Sequence, residues 1–138
     1  MANRLNSSTL SEFVDARTSA MILRVFVAFF MIYGHGLGKL MNVMGGNFQF
    51  MDPIGIGPAA SLILAAFAEA ICAFLVLIGF WTRLASLILI INMTVAILLY
   101  HIPSGDSFGD FEAAALYLVA FVVIFLLGPG KLAVDKSR

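Results

Sequence analysis

A single carboxylate, Glu69, interrupts an apolar stretch of this 138-residue chain. The flanking residues, 59–68 and 70–80, carry no other charge. At about 1.5 Å of helical rise per residue, Glu69 lies about 15 Å from either end of the stretch, near the midplane of a bilayer. An ionised side chain costs at least about 2.5–3.5 kcal/mol there, so such a group is as a rule paired, protonated or functional.

Other polar groups fall at related depths. Arg24 and His35 are about three full helical turns apart, so an ideal helix places them on one stripe, and Lys39 falls near it. Charged residues within a span normally face the other helices, so this stripe predicts the inward face of the first span. By the same count of helical rise, His101 and Glu112 share the outer half of the membrane with His35.

These residue types suit proton-coupled redox chemistry. Converting a quinone to a quinol moves two protons with two electrons, so a site needs a histidine or carboxylate at the ring oxygens and an apolar slot. The predicted catalytic residues are Glu69, His35 and Glu112. The predicted cofactor-binding residues are Arg24, His35, Lys39, His101 and Tyr117.

A structural interpretation of the same residues stays open. Glu69, His35 and Glu112 then form a buried polar network that fixes helix pairing, and Arg24 reaches Glu69 in an ion pair. Asn92 is expected to hydrogen-bond across helices. The pair Gly34 and Gly38 forms a G-x-x-x-G pattern that predicts close helix approach, together with alanines of the second span.

Composition places the chain in the membrane. Hydrophobic residues make up 62% of it and charged residues only 12%, whereas soluble domains carry about 25% charged residues. Four apolar stretches predict spans, and none shows the strict alternation of a barrel strand. The spans are 20–38, 59–80, 84–100 and 111–127. The prediction is an all-α, integral membrane four-helix bundle with antiparallel neighbours, forming a single domain over 1–138.

The connections differ in kind. Seven of the eight basic residues lie on the side of the two termini, which predicts that both termini are cytoplasmic. The run Thr9-Leu10-Ser11-Glu12 fits a capping box and predicts a short amphipathic interfacial helix before the first span. The loop 41–58 is glycine-rich and apolar, which is typical either of a lid over the bundle mouth or of a loop in the headgroups.

Several cofactors are excluded or disfavoured. Cys72 is the lone cysteine, so disulfide exchange and iron–sulfur ligation within this chain are excluded. Haem bound by His35 and His101 is not expected, because no glycine pattern for a macrocycle accompanies them. No metal site is expected either, and no nucleic-acid partner.

Motifs along the chain resemble the DoxX family of small four-span bacterial membrane proteins. The resemblance is carried by Arg24, the run 34–40 (GHGLGKL), Glu69, the run 79–85 (GFWTRLA), His101, Glu112, Tyr117, Gly128-Pro129-Gly130-Lys131 and Asp135. The order and spacing of these pieces cover nearly the whole chain after residue 20. The chain departs from the family pattern at Phe80-Trp81 and in a longer lead before the first span.

The resemblance implies a multi-pass protein of the bacterial inner membrane. It also implies a membrane subunit of a redox system, since relatives look like the quinone-reducing subunit of thiosulfate:quinone oxidoreductase. Three functions therefore remain open. The first is a subunit of a quinone-linked oxidoreductase, with soluble or membrane redox partners. The second is a non-catalytic anchor in a larger complex, and the third is a small-molecule or proton conduit that works as a homo-oligomer.

Overall fold

Four long helices form the bundle in a computed structural model that describes residues 14–135. They are α1 (Ala16–Met44), α2 (Pro58–Ile78), α3 (Thr82–His101) and α4 (Phe108–Leu127). All four are long and apolar enough to cross a membrane, and the described residues include no strand. The predicted all-α membrane bundle is confirmed. The predicted interfacial helix at residues 9–12 lies outside the described residues.

Local sequence explains where the helices begin and end. Asp15 accepts a hydrogen bond from the Arg17 amide at the start of α1 (3.0 Å), and Pro58 occupies the first turn of α2. Ser107 and Asp110 form a reciprocal capping box at α4. Gly79 ends α2 in the left-handed conformation (φ 71°), which glycine adopts without steric cost.

Each helix packs mainly against two neighbours, in the cyclic order α1, α2, α3, α4. α1 and α3 are therefore diagonal to each other, as are α2 and α4. The core lies between them and includes Ala28, Val76, Leu89 and Phe121, all with no exposed surface. α2 is the most buried of the four helices and α4 the least.

The first helix is longer than predicted. It runs to Met44 rather than ending at Gly38, so Lys39 belongs to the helix and the following loop shortens to 45–57. The helix continues through glycines 34, 36 and 38, and Gly36 is the one that packs against α2. A Cβ at Gly36 would stand 2.1 Å from the backbone oxygen of Glu69, so α1 and α2 touch backbone to backbone there.

The predicted close approach through Gly34 and Gly38 is wrong. A Cβ at either position would meet nothing within 4 Å, and both residues are exposed. The physical reason is a wide, π-helical turn at Ile32–Gly36, which adds a residue to the turn and rotates the following face. The buried stripe consequently runs through Arg24, Ala28 and Met31 and then continues at Gly36.

The chain end closes the far end of the bundle. Residues 128–135, called the C-terminal strap below, run back across α1 and the turn between α2 and α3. The Lys131 amide donates to the Arg17 carbonyl (3.1 Å), and the Asp135 amide donates to the Gly79 carbonyl (2.7 Å). Both described ends of the chain therefore lie at the same end of the bundle.

Candidate functional site

Glu69 joins three helices through one carboxylate. It is 5% exposed and lies in a second wide turn, Phe67–Cys72, in the middle of α2. The Lys39 ammonium of α1 donates to its Oε2 (2.5 Å), and the Asn92 amide of α3 donates to its Oε1 (2.9 Å). Both oxygens of the buried acid are thus satisfied, and Asn92 bonds across helices as expected.

Arg24 lies elsewhere, and the predicted ion pair with Glu69 is not formed. Its guanidinium is 1% exposed at the strap end of the bundle, outside the cavity described below. Among the described residues it donates to four backbone carbonyls, at 2.5–3.1 Å: those of Val76, Leu77, Lys131 and Leu132. The last carbonyls of a helix carry partial negative charge, so the end of α2, together with the strap, accepts from the two terminal nitrogens of the arginine instead.

A cavity of about 600 Å³ opens beside the Lys39–Glu69 pair. We call it the Glu69 cavity. All four helices and the loop 45–57 contribute to its wall, which is mostly apolar. Its polar lining residues are His35, Lys39, Ser61, Glu69, Asn92, His101, Asp110 and Tyr117. Of the residues predicted from the sequence, the cavity brings together Glu69, His35, Lys39, His101 and Tyr117.

His35 and Tyr117 form one side of the cavity. Their rings lie edge to face, with centroids 5.4 Å apart and an interplanar angle of 87°. His35 is on α1 and Tyr117 on α4, so this contact links the two helices across the cavity wall. The imidazole and the phenol provide a proton donor or acceptor opposite the apolar surface.

His101 connects the cavity to the adjoining loop. Its Nδ1 lies 2.7 Å from Oδ2 of Asp106, and both side chains are only partly exposed (21% and 33%). A carboxylate on Nδ1 orients the imidazole and leaves Nε2 as the second proton-exchanging atom. The pair of His101 and Asp106 therefore links the cavity to the loop 102–107.

Glu112 does not line the Glu69 cavity. It is exposed on α4, whereas Asp110, Ala113, Ala114 and Tyr117 of the same helix face the cavity. The sequence analysis did not single out Asp110, although its spacing from Tyr117 indicates a shared face. Asp110 lies seven residues before Tyr117, which places the two within about 20° of each other around an ideal helix. Glu112, five residues before Tyr117, falls about 140° away.

Wide turns recur at the ionisable residues. His35 lies in Ile32–Gly36, Glu69 in Phe67–Cys72 and His101 in a third π-helical turn, Ala96–His101. Such turns are rare and often mark functional sites. A single helical period cannot reveal them, so the sequence carried no usable signal for this feature.

The loop 45–57 covers the cavity, which favours the lid interpretation of this segment. Phe50, Met51, Pro53 and Ile54 line the cavity, and the Lys39 ammonium lies 6.0 Å from the centroid of the Phe50 ring. The loop thus touches the cation that pairs with Glu69.

Asp52 anchors this loop to the start of α2. Its carboxylate accepts from the Ile56 amide (3.0 Å), the Gly57 amide (2.9 Å) and the Ser61 hydroxyl (2.9 Å). Desolvation raises the pKa of Asp52, but these hydrogen bonds outweigh it and hold the pKa below its ordinary value. The anchor is therefore ionised at neutral pH.

Comparison with known proteins agrees with the motif resemblance. The DoxX family model matches residues 19–102, which contain α2, α3 and all of α1 after its first three residues. An uncharacterized protein of Haemophilus influenzae is 30% identical over 83% of this chain and 87% of its own length. The inner membrane protein YphA of Escherichia coli K12 is 26% identical over 96% of this chain and 99% of its own length. No solved structure gives a significant match.

Proposed function

The chain belongs to the DoxX family, and we propose that it is an inner-membrane subunit of a quinone-linked redox complex with its quinone site in the Glu69 cavity. The observation that carries the proposal is the buried Glu69 bonded to Lys39 and Asn92 at the wall of a largely apolar cavity of about 600 Å³. This volume lies within the range of about 300–1,000 Å³ typical of small-molecule sites.

The charges of the cavity favour a neutral ligand. Among the described lining residues Lys39 is the sole lysine or arginine, and Glu69 neutralises it. Asp110 adds a negative charge at the wall. An oxoanion would find no free cation there, whereas a neutral ring with carbonyl or hydroxyl groups meets donors, acceptors and apolar surface. A quinone has these properties.

The residues present fit such a ligand. A bound quinone supplies two-electron, two-proton chemistry, and the electrons come from, or pass to, a redox centre or thiol substrate of a partner subunit. Lys39 and Tyr117 can donate hydrogen bonds to ring oxygens, and His35 can give or accept a proton. The side chains of Met31, Leu64 and Ile88 provide apolar contact.

Protons need a route to water, and His101 is suited to it. It lines the cavity and holds Asp106 of the loop 102–107 at 2.7 Å. The pair can pass a proton between the cavity and the aqueous face by exchange at the two imidazole nitrogens. The distribution of basic residues predicts that this face is the periplasmic one.

A non-catalytic anchoring subunit is the second candidate. One observation favours it: both oxygens of Glu69 are already bonded, so the network can serve simply to join α1, α2 and α3. This function predicts a stable partner after mild solubilisation and no saturable quinone binding.

Direct quinone binding tests the proposal. Short-chain ubiquinone and menaquinone analogues would be titrated into the purified protein in detergent, with binding measured calorimetrically. Glu69→Gln should weaken binding by about 10–100-fold, because Glu69 holds the Lys39 ammonium that donates to a ring oxygen, and a hydrogen bond to a charged group contributes about 1.5–3 kcal/mol. Glu112→Gln is the matched control and should bind like the wild type, because Glu112 lies outside the cavity.

Two results would overturn the quinone site. One is the absence of saturable binding to the wild-type protein. The other is equal affinity in wild type and Glu69→Gln. If Glu112→Gln were the only variant to weaken quinone binding, the site would lie on the exposed face of α4 instead.

A further inference from the structure

A second concave site lies at the opposite end of the bundle from the Glu69 cavity. It is a groove of about 690 Å³ between the start of α1, the start of α3 and the C-terminal strap. We call it the strap groove. Among the described residues it is lined by Ala16, Arg17, Ala20, Trp81, Thr82, Arg83, Leu84, Leu127, Pro129, Gly130 and Asp135.

The groove carries two guanidinium groups from different helices. Arg17 lies at the start of α1 and Arg83 at the start of α3, and both line it. Among the described lining residues Asp135 is the one acid, and its carboxylate is occupied by the Trp81 amide, the Thr82 amide and the Thr82 hydroxyl, each at 2.9 Å. The acid therefore serves the first turn of α3, and the groove keeps a net positive lining.

The backbone of Gly128 lies close to the Arg83 guanidinium. Gly128, which begins the strap, is buried with φ 81°, and a Cβ there would stand 3.5 Å from Nη2 of Arg83. A side chain at this position would lie directly against the charged group. Glycine keeps this flank free of side-chain atoms.

The groove lies where the spans end. α1 and α3 begin here and α2 and α4 finish here, so this level corresponds to the boundary between hydrocarbon and headgroups. Trp81 is 59% exposed and stacks on Phe80 at 5.0 Å, as expected of an aromatic residue at the interface. Leu84 and Leu127 give the groove an apolar side, so its lining is both cationic and apolar.

We propose that the strap groove binds the phosphate headgroup of an anionic phospholipid, with Arg83 as the phosphate-binding residue. Guanidinium groups bind phosphate through two parallel hydrogen bonds, and basic pockets between helices at the interface take up anionic headgroups. An acyl chain of the lipid continues along Leu84 and Leu127. This site is independent of the quinone proposal.

Lipid binding to variants tests the site. Native mass spectrometry of the detergent-solubilised protein would follow titration with phosphatidylglycerol, and with phosphatidylcholine as the neutral comparison. Arg83→Gln should lower the apparent affinity for phosphatidylglycerol by about tenfold, the loss of one charge-assisted contact. Lys131→Gln is the matched control. It removes the same charge at the same end, but Lys131 pairs with Asp15 and does not line the groove.

Three results would overturn the proposal. The first is equal affinity for the two lipids. The second is an equal loss in Lys131→Gln and Arg83→Gln, which would indicate a general charge effect. The third is competition by inorganic phosphate alone at concentrations comparable to the lipid, which would assign the site to a free anion. Circular dichroism of each variant without lipid tests whether it folds. If Arg83→Gln fails to fold, Arg83→Lys takes its place and should retain part of the affinity for phosphatidylglycerol.

Discussion

Glu69 is neutralised by Lys39 and not by Arg24, the partner that the sequence predicted. Lys39 belongs to α1 and its ammonium reaches Oε2, while Asn92 of α3 satisfies Oε1. A carboxylate in hydrocarbon gains from such a pair because an unpaired charge is costly there. Arg24 is not needed for this purpose, since the carbonyls at the end of α2 and in the strap occupy it.

Removing the lysine alone should therefore destabilise the protein. We expect Lys39→Met to lower the free energy of unfolding by about 3–5 kcal/mol, because breaking a buried pair leaves an uncompensated charge. The measurement is unfolding in mixed micelles with increasing sodium dodecyl sulfate.

The double variant Lys39→Met/Glu69→Gln is the control. It removes both charges and should recover most of the loss, giving a positive coupling between the two sites. Additive effects of the two single substitutions would contradict a functional ion pair.

At the scale of the elements, backbone contact between α1 and α2 brings Lys39 and Glu69 together. The contact is possible at Gly36, where a Cβ would stand 2.1 Å from the Glu69 oxygen and 2.7 Å from the Ala70 nitrogen. Both helices contain a wide turn at this level. The contact therefore places the polar site, in addition to packing the two helices.

Substitution of the three glycines of α1 should separate packing from helix propensity. We expect Gly36→Ala to destabilise the protein by about 1–3 kcal/mol or more, because the methyl group overlaps the backbone of α2. Thermal unfolding in detergent measures the change.

Gly34→Ala and Gly38→Ala are the matched controls. No atom lies within 4 Å of a Cβ at either position, so each should be neutral or stabilising by up to about 1 kcal/mol, the difference in helix propensity. If Gly34→Ala or Gly38→Ala lowered the stability more than Gly36→Ala, the helix contact would instead run through the G-x-x-x-G pattern that the sequence predicted.

At the scale of the whole molecule, the C-terminal strap holds the helix ends together. Asp135 caps α3, and Arg24 of α1 bonds both the end of α2 and the strap. Burial raises the pKa of Asp135, but the Thr82 and Trp81 amides and the Thr82 hydroxyl outweigh it and hold the pKa below its ordinary value. The positive charge of Arg24 acts in the same direction.

Acid should release this cap. Because the folded-state pKa of Asp135 is depressed, its stabilising effect is complete above the unfolded-state value of about 3.9 and is lost as the pH falls through the folded-state value. We expect melting temperature to fall steeply below about pH 4 in the wild type.

Asp135→Asn serves as the comparison, because Asp15 and Asp52 also have lowered pKa values and contribute to the same acid loss. The variant should start less stable at neutral pH and lose less on acidification. Parallel pH profiles of wild type and variant would show that the cap does not contribute.

The sequence predicted which residues lie in the site better than it predicted which of them contact each other. Glu69, His35, Lys39, His101 and Tyr117 do meet in one cavity, since each lies at a depth that the helical rise estimates well. Glu112 and Arg24 do not: Glu112 lies about 140° around α4 from the cavity-facing Tyr117, and Arg24 lies at the strap end of the bundle, away from the cavity. In α1 the wide turn Ile32–Gly36 adds a residue, so a face counted with a period of 3.6 is displaced beyond it, and Gly36 meets α2 in place of Gly34 and Gly38.

The membrane class, the four spans and the presence of a carboxylate in the middle of one of them could be read from the sequence alone. These properties depend on local hydropathy and on span length, which neighbouring residues determine. Tertiary structure decided the partner of Glu69, the glycine at which α1 meets α2, the acid of α4 that faces the cavity, and the closing of the bundle by the strap. Each of these depends on the rotation of one helix against another and on residues far apart in the chain, such as Arg24 and Leu132.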